Sequence, residues 1–256
     1  MAAGMQLKVV AIIPARMASS RFPGKPLADI LGLPMIEHVR RRVALAPLIH
    51  EVVVATCDRE IFAAVNANGG QTVMTAPTHE RCTDRVAEAM ASITADIVIN
   101  VQGDEPLVHP DMFPPLLAPF QGEPELPCTN LMSEIVSDEE FANPNVVKTV
   151  CDLRGNAMYF SREPIPSVRK VGTLTFQKYK QLGIIAFRQE FLQTLTNLAP
   201  TPLEAVESVD MLRAVEHGYP VRMVLTPFQV VGVDTPEDLE RARALMEHDE
   251  LLRSYQ

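Results

Sequence analysis

No apolar run in the sequence is long enough to cross a bilayer. The longest near the N-terminus, Val9 to Ala15, contains Pro14 and falls far short of the roughly 20 residues a spanning helix needs. It has no small-residue cleavage pattern of the kind a secretory signal carries, so the expected compartment is the cytoplasm and no membrane partner is expected. Cysteine is scarce. Cys57, Cys82, Cys128 and Cys151 stand far apart, with no CxxC pair and no paired histidines, which removes both a zinc site and a disulfide framework. Neither GxxxxGK[ST] nor GxGxxG occurs, so the common nucleotide loops are absent. There is also no GxSxG elbow, internal repeat or low-complexity tract. A net charge of -9 argues against nucleic acid as a partner, because broad phosphate binding needs a basic surface.

What is present is ordinary in bulk and unusual in one place. The 256 residues are 47% hydrophobic and 21% charged, enough for a full α/β core. Against the acidic background, one stretch near the start concentrates cations: Ile13-Pro14-Ala15-Arg16, then Ser19-Ser20-Arg21, then Pro23-Gly24-Lys25-Pro26. It follows a buried strand that Pro14 is expected to end. Arg16 and Arg21 offer planar forks for phosphate oxygens and Lys25 a mobile point charge. The plain alternative is a solvated basic loop.

The next hundred residues alternate strand and helix. Leu33-Pro34 opens a helix with Ile36, Val39 and Val43 at helical spacing, and Pro47 ends it. Glu51–Thr56 is a second strand, and Asp58 is placed to cap a helix through Ala64, stopped by Gly69-Gly70. Gln71–Thr75 is a third strand. The polar segment Thr78–Arg85 leads into a helix ending near Ile93, and Asp96–Gln102 is a fourth strand that delivers Gly103-Asp104. This alternation predicts an α/β fold with a doubly wound, mostly parallel sheet, whose ligands lie beyond the strands' carboxyl ends. After Pro127 the rhythm breaks. Val146–Cys151 and Ala157–Phe160 read as strands around an Arg154-Gly155 turn, and 163–180 as a long loop. A strand at Leu182–Phe187 and a helix at Gln189–Leu198 follow. Pro202–His217 reads as one helix with Val206, Val209 and Leu212 buried, and Val221–Leu225 as a late strand. Val230–Asp234 reads as a strand turning into a last helix, with Thr235 as N-cap and Pro236 at its first position. The expectation is one domain, 1–256, with a protruding β element over roughly 127–190.

Asp104 follows a fully apolar strand and suits magnesium, which takes carboxylate oxygens plus substrate phosphates. Asp234 is the candidate partner ligand, although the same residues also read as a plain helix start. Lys148 and Arg162 read equally well as surface charges. Cys82, flanked by His79 and Asp84, has no activating base assigned by sequence and reads as a small buried hydrophobe.

These residues carry a resemblance. The cationic loop, Val54-Ala55-Thr56, Thr83-Asp84-Arg85 with Ala87-Glu88, Asn100-Val-Gln-Gly-Asp-Glu-Pro106, Asn143-Pro-Asn145 with Lys148, Tyr159-Phe-Ser-Arg162, Leu182-Gly183 and Gly232-Val-Asp-Thr-Pro-Glu-Asp238 resemble the 3-deoxy-manno-octulosonate cytidylyltransferases over nearly the whole chain. The resemblance implies a nucleotide-diphospho-sugar transferase-like fold and transfer of CMP from CTP to a sugar acid, with release of pyrophosphate. It implies Ala15, Arg16, Ser20, Arg21, Lys25, Thr83 and Arg85 for CTP, Gln102, Arg162, Gln181 and Asp210 for the acceptor, and Asp104 and Asp234 for magnesium. A homodimer, and a place in lipopolysaccharide or capsule precursor synthesis, are implied as well. The chain departs from the family pattern at Cys57, at Arg81-Cys82, at Gln181, Ile185 and Phe187, and at Asp210-Met211. Transfer to a different acceptor, and a non-catalytic nucleotide-binding relative, are the alternatives these departures leave.

Overall fold

The computed structural model describes residues 7–19, 21–170 and 176–256. In chain order these form β1 (Val9–Ala15), a short 3-10 turn at Lys25–Leu27, the small hairpin β2 (Asp29–Ile30) and β3 (Leu33–Pro34), α1 (Met35–Ala44), β4 (Glu51–Thr56), α2 (Arg59–Ala67), β5 (Gln71–Met74), α3 (Cys82–Met90) and β6 (Ile97–Val101). Then come α4 (Phe113–Leu117), α5 (Pro119–Gly122), β7 (Cys128–Glu134), α6 (Asp138–Ala142), β8 (Lys148–Cys151), β9 (Ala157–Ser161), β10 (Tyr179–Arg188), α7 (Gln189–Asn197), α8 (Pro202–Glu207), α9 (Met211–Glu216), β11 (Val221–Leu225) and α10 (Pro236–Met246). The chain divides into two compact units, Met1–Pro114 with Val230–Gln256, and Pro115–Gln229.

The fold is α/β with a mostly parallel sheet. In the first unit β6, β1, β4 and β5 lie side by side, all parallel. β1 and β6 are buried along their whole length, so these strands read as unbroken apolar runs rather than alternating ones. β1 does not end at Pro14. Its register with β6 stops at Ile12, while that with β4 runs on to Ala15, and proline's fixed φ is compatible with an extended edge. α3 begins at Cys82, so half of the polar segment Thr78–Arg85 belongs to the helix it leads into. A second small core of Ile30, Met35, Val233, Leu239, Ala242 and Met246 packs α10 against the β2–β3 hairpin. Residues 226–235 form no strand, contrary to the expectation for Val230–Asp234. The backbone there is fixed instead by the Val233 N–H, which donates to the Asp104 carbonyl at 2.9 Å. Thr235 caps α10 as expected, its hydroxyl accepting from the Asp238 N–H at 3.2 Å, with Pro236 at the first helical position.

The second unit is built on β7, which pairs antiparallel with β10 and parallel with β11. β8 pairs antiparallel with both β9 and β10. The single helix expected over 202–217 is two helices, broken at Ser208, whose φ is +53°. The reason lies in α8. Glu204 is turned inward to Arg213, and a residue two positions along a helix points about 200° away. Val206 is therefore 81% exposed, while Val209 and Leu212 are buried.

Candidate active site

The cationic loop is shaped by what grips Met17. Its N–H donates to Asp58 Oδ2 at 2.7 Å, and its carbonyl accepts from the Gly24 N–H at 3.0 Å. Asp58 therefore does not cap α2 with its side chain. The carboxylate at the N-cap position is spent on the loop, 41 residues away in sequence. Gly24 closes the turn with φ +76°, a conformation that costs glycine little and other residues more. The 3-10 turn that follows aims Lys25 into the unit.

Beyond β6 the chain passes over Pro14 so closely that a Cβ on Gly103 would sit 2.9 Å from the Pro14 carbonyl oxygen. That close approach sets Asp104 beside the loop. Lys25 Nζ donates to Asp104 Oδ2 at 2.7 Å, to the Val233 carbonyl at 2.8 Å and to Asp234 Oδ1 at 3.1 Å. Arg21 pairs with the other oxygen of Asp234 at 3.1 Å. Burial alone would lower the Lys25 pKa, but the two carboxylates outweigh it and hold it above its ordinary value. Lys25 is mostly buried at 12% side-chain exposure, while Asp104 at 31% and Asp234 at 41% remain open to solvent.

These groups line one cleft of about 250 Å³, together with Arg16 and Gln102. Arg16 is exposed and makes no ion pair among the described residues, so its fork is open to an incoming anion. Ala15, the last residue of β1, also lines the cleft. Gln102 accepts from the Cys82 thiol at 3.7 Å. A smaller adjoining cavity of about 40 Å³ includes Arg16, His79, Arg81, Cys82 and Arg85. Arg85 is buried, and donates to the Thr75 hydroxyl and to the Ala76 carbonyl at 3.3 Å. Thr83 is buried on α3 and lines neither cavity. Ser20 lies outside the described residues. No group of three or more metal-binding side chains occurs among the described residues. Two carboxylates already bridged by one cation do suit a hard divalent ion whose remaining ligands come from water and phosphate.

A sequence profile described as cytidylyltransferase matches residues 10–224. The chain is 47% identical over 244 residues to a 3-deoxy-manno-octulosonate cytidylyltransferase of Geobacter metallireducens, covering 92% of this chain and 96% of that one. A second, from Syntrophus aciditrophicus, is also 47% identical, over 242 residues, covering 93% and 97%. Among solved structures, a CMP:2-keto-3-deoxy-manno-octonic acid synthetase complexed with CTP superposes with a TM-score of 0.88 at 43% identity, covering 94% of this chain and 98% of that one. The chain belongs to the 3-deoxy-manno-octulosonate cytidylyltransferase family. A glucose-1-phosphate thymidylyltransferase from Bacillus anthracis, described as putative, shares the fold alone, at 15% identity and a TM-score of 0.68 over 94% of this chain and 96% of that one.

The acceptor residues that the family pattern names lie in the second unit, apart from Gln102. Arg162 donates Nε to the Glu207 carbonyl at 2.7 Å and its terminal nitrogens to the Pro144 and Ser208 carbonyls at 3.0 and 3.4 Å. Its fork is thus engaged with backbone. Gln181 donates to Asn130 Oδ1 at 2.6 Å, and Asp210 is the N-cap residue of α9. Lys148 is fully buried, its ammonium donating to the Asn143 and Arg162 carbonyls, each at 2.7 Å. It is no surface charge. Sequence reasoning missed three things. Asp58 was legible only as a cap, the Val233 carbonyl has no side-chain signature, and Glu88 ties α3 to the segment before it. Glu88 accepts from the Ala76 N–H at 2.9 Å and pairs with His79.

Proposed function

We propose that this cytidylyltransferase joins CMP from CTP to the anomeric hydroxyl of 3-deoxy-manno-octulosonate. The hydroxyl oxygen forms a bond to the α-phosphorus, the bond from that phosphorus to the α–β bridging oxygen breaks, and pyrophosphate leaves with its electron pair. The hydroxyl proton is released. The observation that carries this reading is the meeting of Arg16, Arg21 and Lys25 with Asp104 and Asp234 in one cleft. Such chemistry needs no covalent nucleophile. It needs reactants held in line and negative charge offset.

Arg16 makes the first contact with the triphosphate, and Arg21 and Lys25 add charge-assisted bonds as the nucleotide seats. Asp104 and Asp234 would hold magnesium, which when bound would supply charge that offsets the phosphates. Gln102 presents its amide to the acceptor, with Gln181 and Asp210 as acceptor-side candidates and Arg162, held by backbone carbonyls, as a fixed positive charge on that side. Two of the departures from the family pattern do not reach the acceptor. Phe187 is fully buried and Ile185 nearly so, so losing polar groups there changes packing rather than ligand contacts. This favours the family's own acceptor over a different one. The reading extends to a cytoplasmic homodimer formed through the 127–190 element, supplying a lipopolysaccharide or capsule precursor.

The test is pyrophosphate release from CTP with magnesium, scored against a panel of sugar acids. The expected result is release only with magnesium present, and fastest with 3-deoxy-manno-octulosonate. Equal rates with and without any acceptor, or none with every acceptor, would sink the proposal.

A further inference from the structure

The three N–H bonds of the Lys25 ammonium are all in use: Asp104 Oδ2 at 2.7 Å, the Val233 carbonyl at 2.8 Å and Asp234 Oδ1 at 3.1 Å. Arg21 meets the remaining oxygen of Asp234 at 3.1 Å. Three of the four carboxylate oxygens are therefore already met by protein cations. The Val233 carbonyl fixes the ammonium from a third side, and Val233 itself is held by its N–H on the Asp104 carbonyl at 2.9 Å. This is a closed arrangement, with donor and acceptors matched one to one.

A divalent ion ligated by both Asp104 and Asp234 has only Asp104 Oδ1 free of a protein cation, and must compete with Lys25 or Arg21 for an oxygen of Asp234. An ammonium and a divalent ion cannot share one, since each repels the other at contact distance. We propose that Lys25 is the resident counter-ion of the two carboxylates, so that Lys25 and a divalent cation exclude each other there and the cation enters together with a triphosphate that draws Lys25 onto its own oxygens. The inference rests on the reading of Asp104 and Asp234 as metal ligands. Charge balances in the exchange. The divalent ion replaces the ammonium on two carboxylates, and the ammonium moves to phosphate, where an anion had no partner. Metal and nucleotide then favour each other's binding reciprocally.

A different cause would also couple the two, namely phosphate oxygens simply completing the metal's shell. One result separates them. If Lys25 excludes the cation, removing its charge strengthens metal binding with no nucleotide present; if phosphates only complete the shell, it does not.

The experiment titrates Mn2+ into nucleotide-free protein, followed by calorimetry or the loss of the free-ion spin-resonance signal. Lys25→Met should bind Mn2+ about tenfold more tightly than the parent, the order of one relieved charge contact. Lys25→Arg keeps the charge and should bind no more tightly than the parent. Lys25→Met/Asp104→Asn should lose the gain, which places it at these carboxylates. Equal affinity in Lys25→Met and the parent overturns the inference, as does a gain that survives in the double variant. Should Lys25→Met not melt cooperatively, Lys25→Gln removes the same charge and keeps an amide that can donate to the Val233 carbonyl. It should strengthen Mn2+ binding to a similar degree, and no gain overturns the inference. The ligand reading is judged separately, by magnesium-dependent turnover of Asp104→Asn. If that variant keeps normal turnover, the ligand reading fails whatever Lys25→Met does.

Discussion

Both units bury or half-bury charge, but they commit it differently. In the first, Lys25, Arg21, Asp104 and Asp234 are paired with one another across a cleft, and the carboxylates stay partly open. In the second, Arg213 and Glu204 close on each other at 2.6 and 2.8 Å with almost no exposure, and Arg162 and Lys148 spend their donors on backbone carbonyls. Charges facing solvent and one another can change partners when a ligand arrives. Charges locked to carbonyls or to a buried partner cannot do so without unfolding something. Mutation should therefore reach function first in one unit and stability first in the other.

The largest effect expected from this contrast is in the second unit. Arg213→Met removes the guanidinium that pairs with the buried Glu204 carboxylate, and breaking such a buried pair costs about 3–5 kcal/mol. Denaturant titration should show a large fall in midpoint. A loss below about 1 kcal/mol would show that α8 and α9 rearrange freely, and the locked reading of that pair would fall.

The counterpart in the first unit is Asp104→Asn. It keeps the size of the side chain and removes one charge from a site that is 31% exposed. Turnover should fall about 100-fold or more, as when a preorganised charge is removed from a transition state. The melting temperature should move little. A variant that melts early yet turns over normally would move Asp104 from the chemistry to the fold.

The same division governs what could be read from the sequence. The first-unit strands were legible because Val9–Ala15, Glu51–Thr56 and Ile97–Val101 are apolar runs bounded by turn residues. β7 was not, because Thr129, Asn130 and Ser133 sit fully buried within it. Asn130 satisfies its amide by donating to the Leu182 carbonyl at 2.8 Å and the Ile184 carbonyl at 3.1 Å, so a polar-looking stretch is core. Conversely, Val230–Val233 has the composition of a strand but no partner ladder, and Asp234 is placed by α10 packing instead. Cations in a short loop could be listed from the sequence. Which anions they meet depended on Gly103 passing over Pro14, and no local pattern encodes that.

The smallest effect concerns a device that both units use, a carboxylate holding a backbone N–H where a strand has ended. Glu207 accepts from the Arg162 N–H at 2.8 Å and from the Ser161 hydroxyl at 2.8 Å. Glu88 accepts from the Ala76 N–H at 2.9 Å. For Glu88 the backbone hydrogen bond from Ala76 is the main cause holding its pKa below the ordinary 4.5, with His79 adding to it. For Glu207 burial works the other way, but its hydrogen bonds outweigh it and the pKa is again lowered. A depressed carboxylate pKa means the folded state favours the charged form. The stability each contributes is therefore complete above about pH 4.5 and declines as pH falls through the lowered folded value. Glu88 has a side chain 39% exposed, so solvent screening keeps its share below about 1 kcal/mol. Comparing Glu88→Gln and Glu207→Gln with the parent at pH 7 and at pH 3.5 measures both. The deficit of each variant should be present at the higher pH, shrink at the lower, and be larger for Glu207, which grips more donors. A Glu88→Gln deficit that grew on acidification would mean the carboxylate is better accommodated protonated, and the Ala76 contact would not be what anchors the segment before α3.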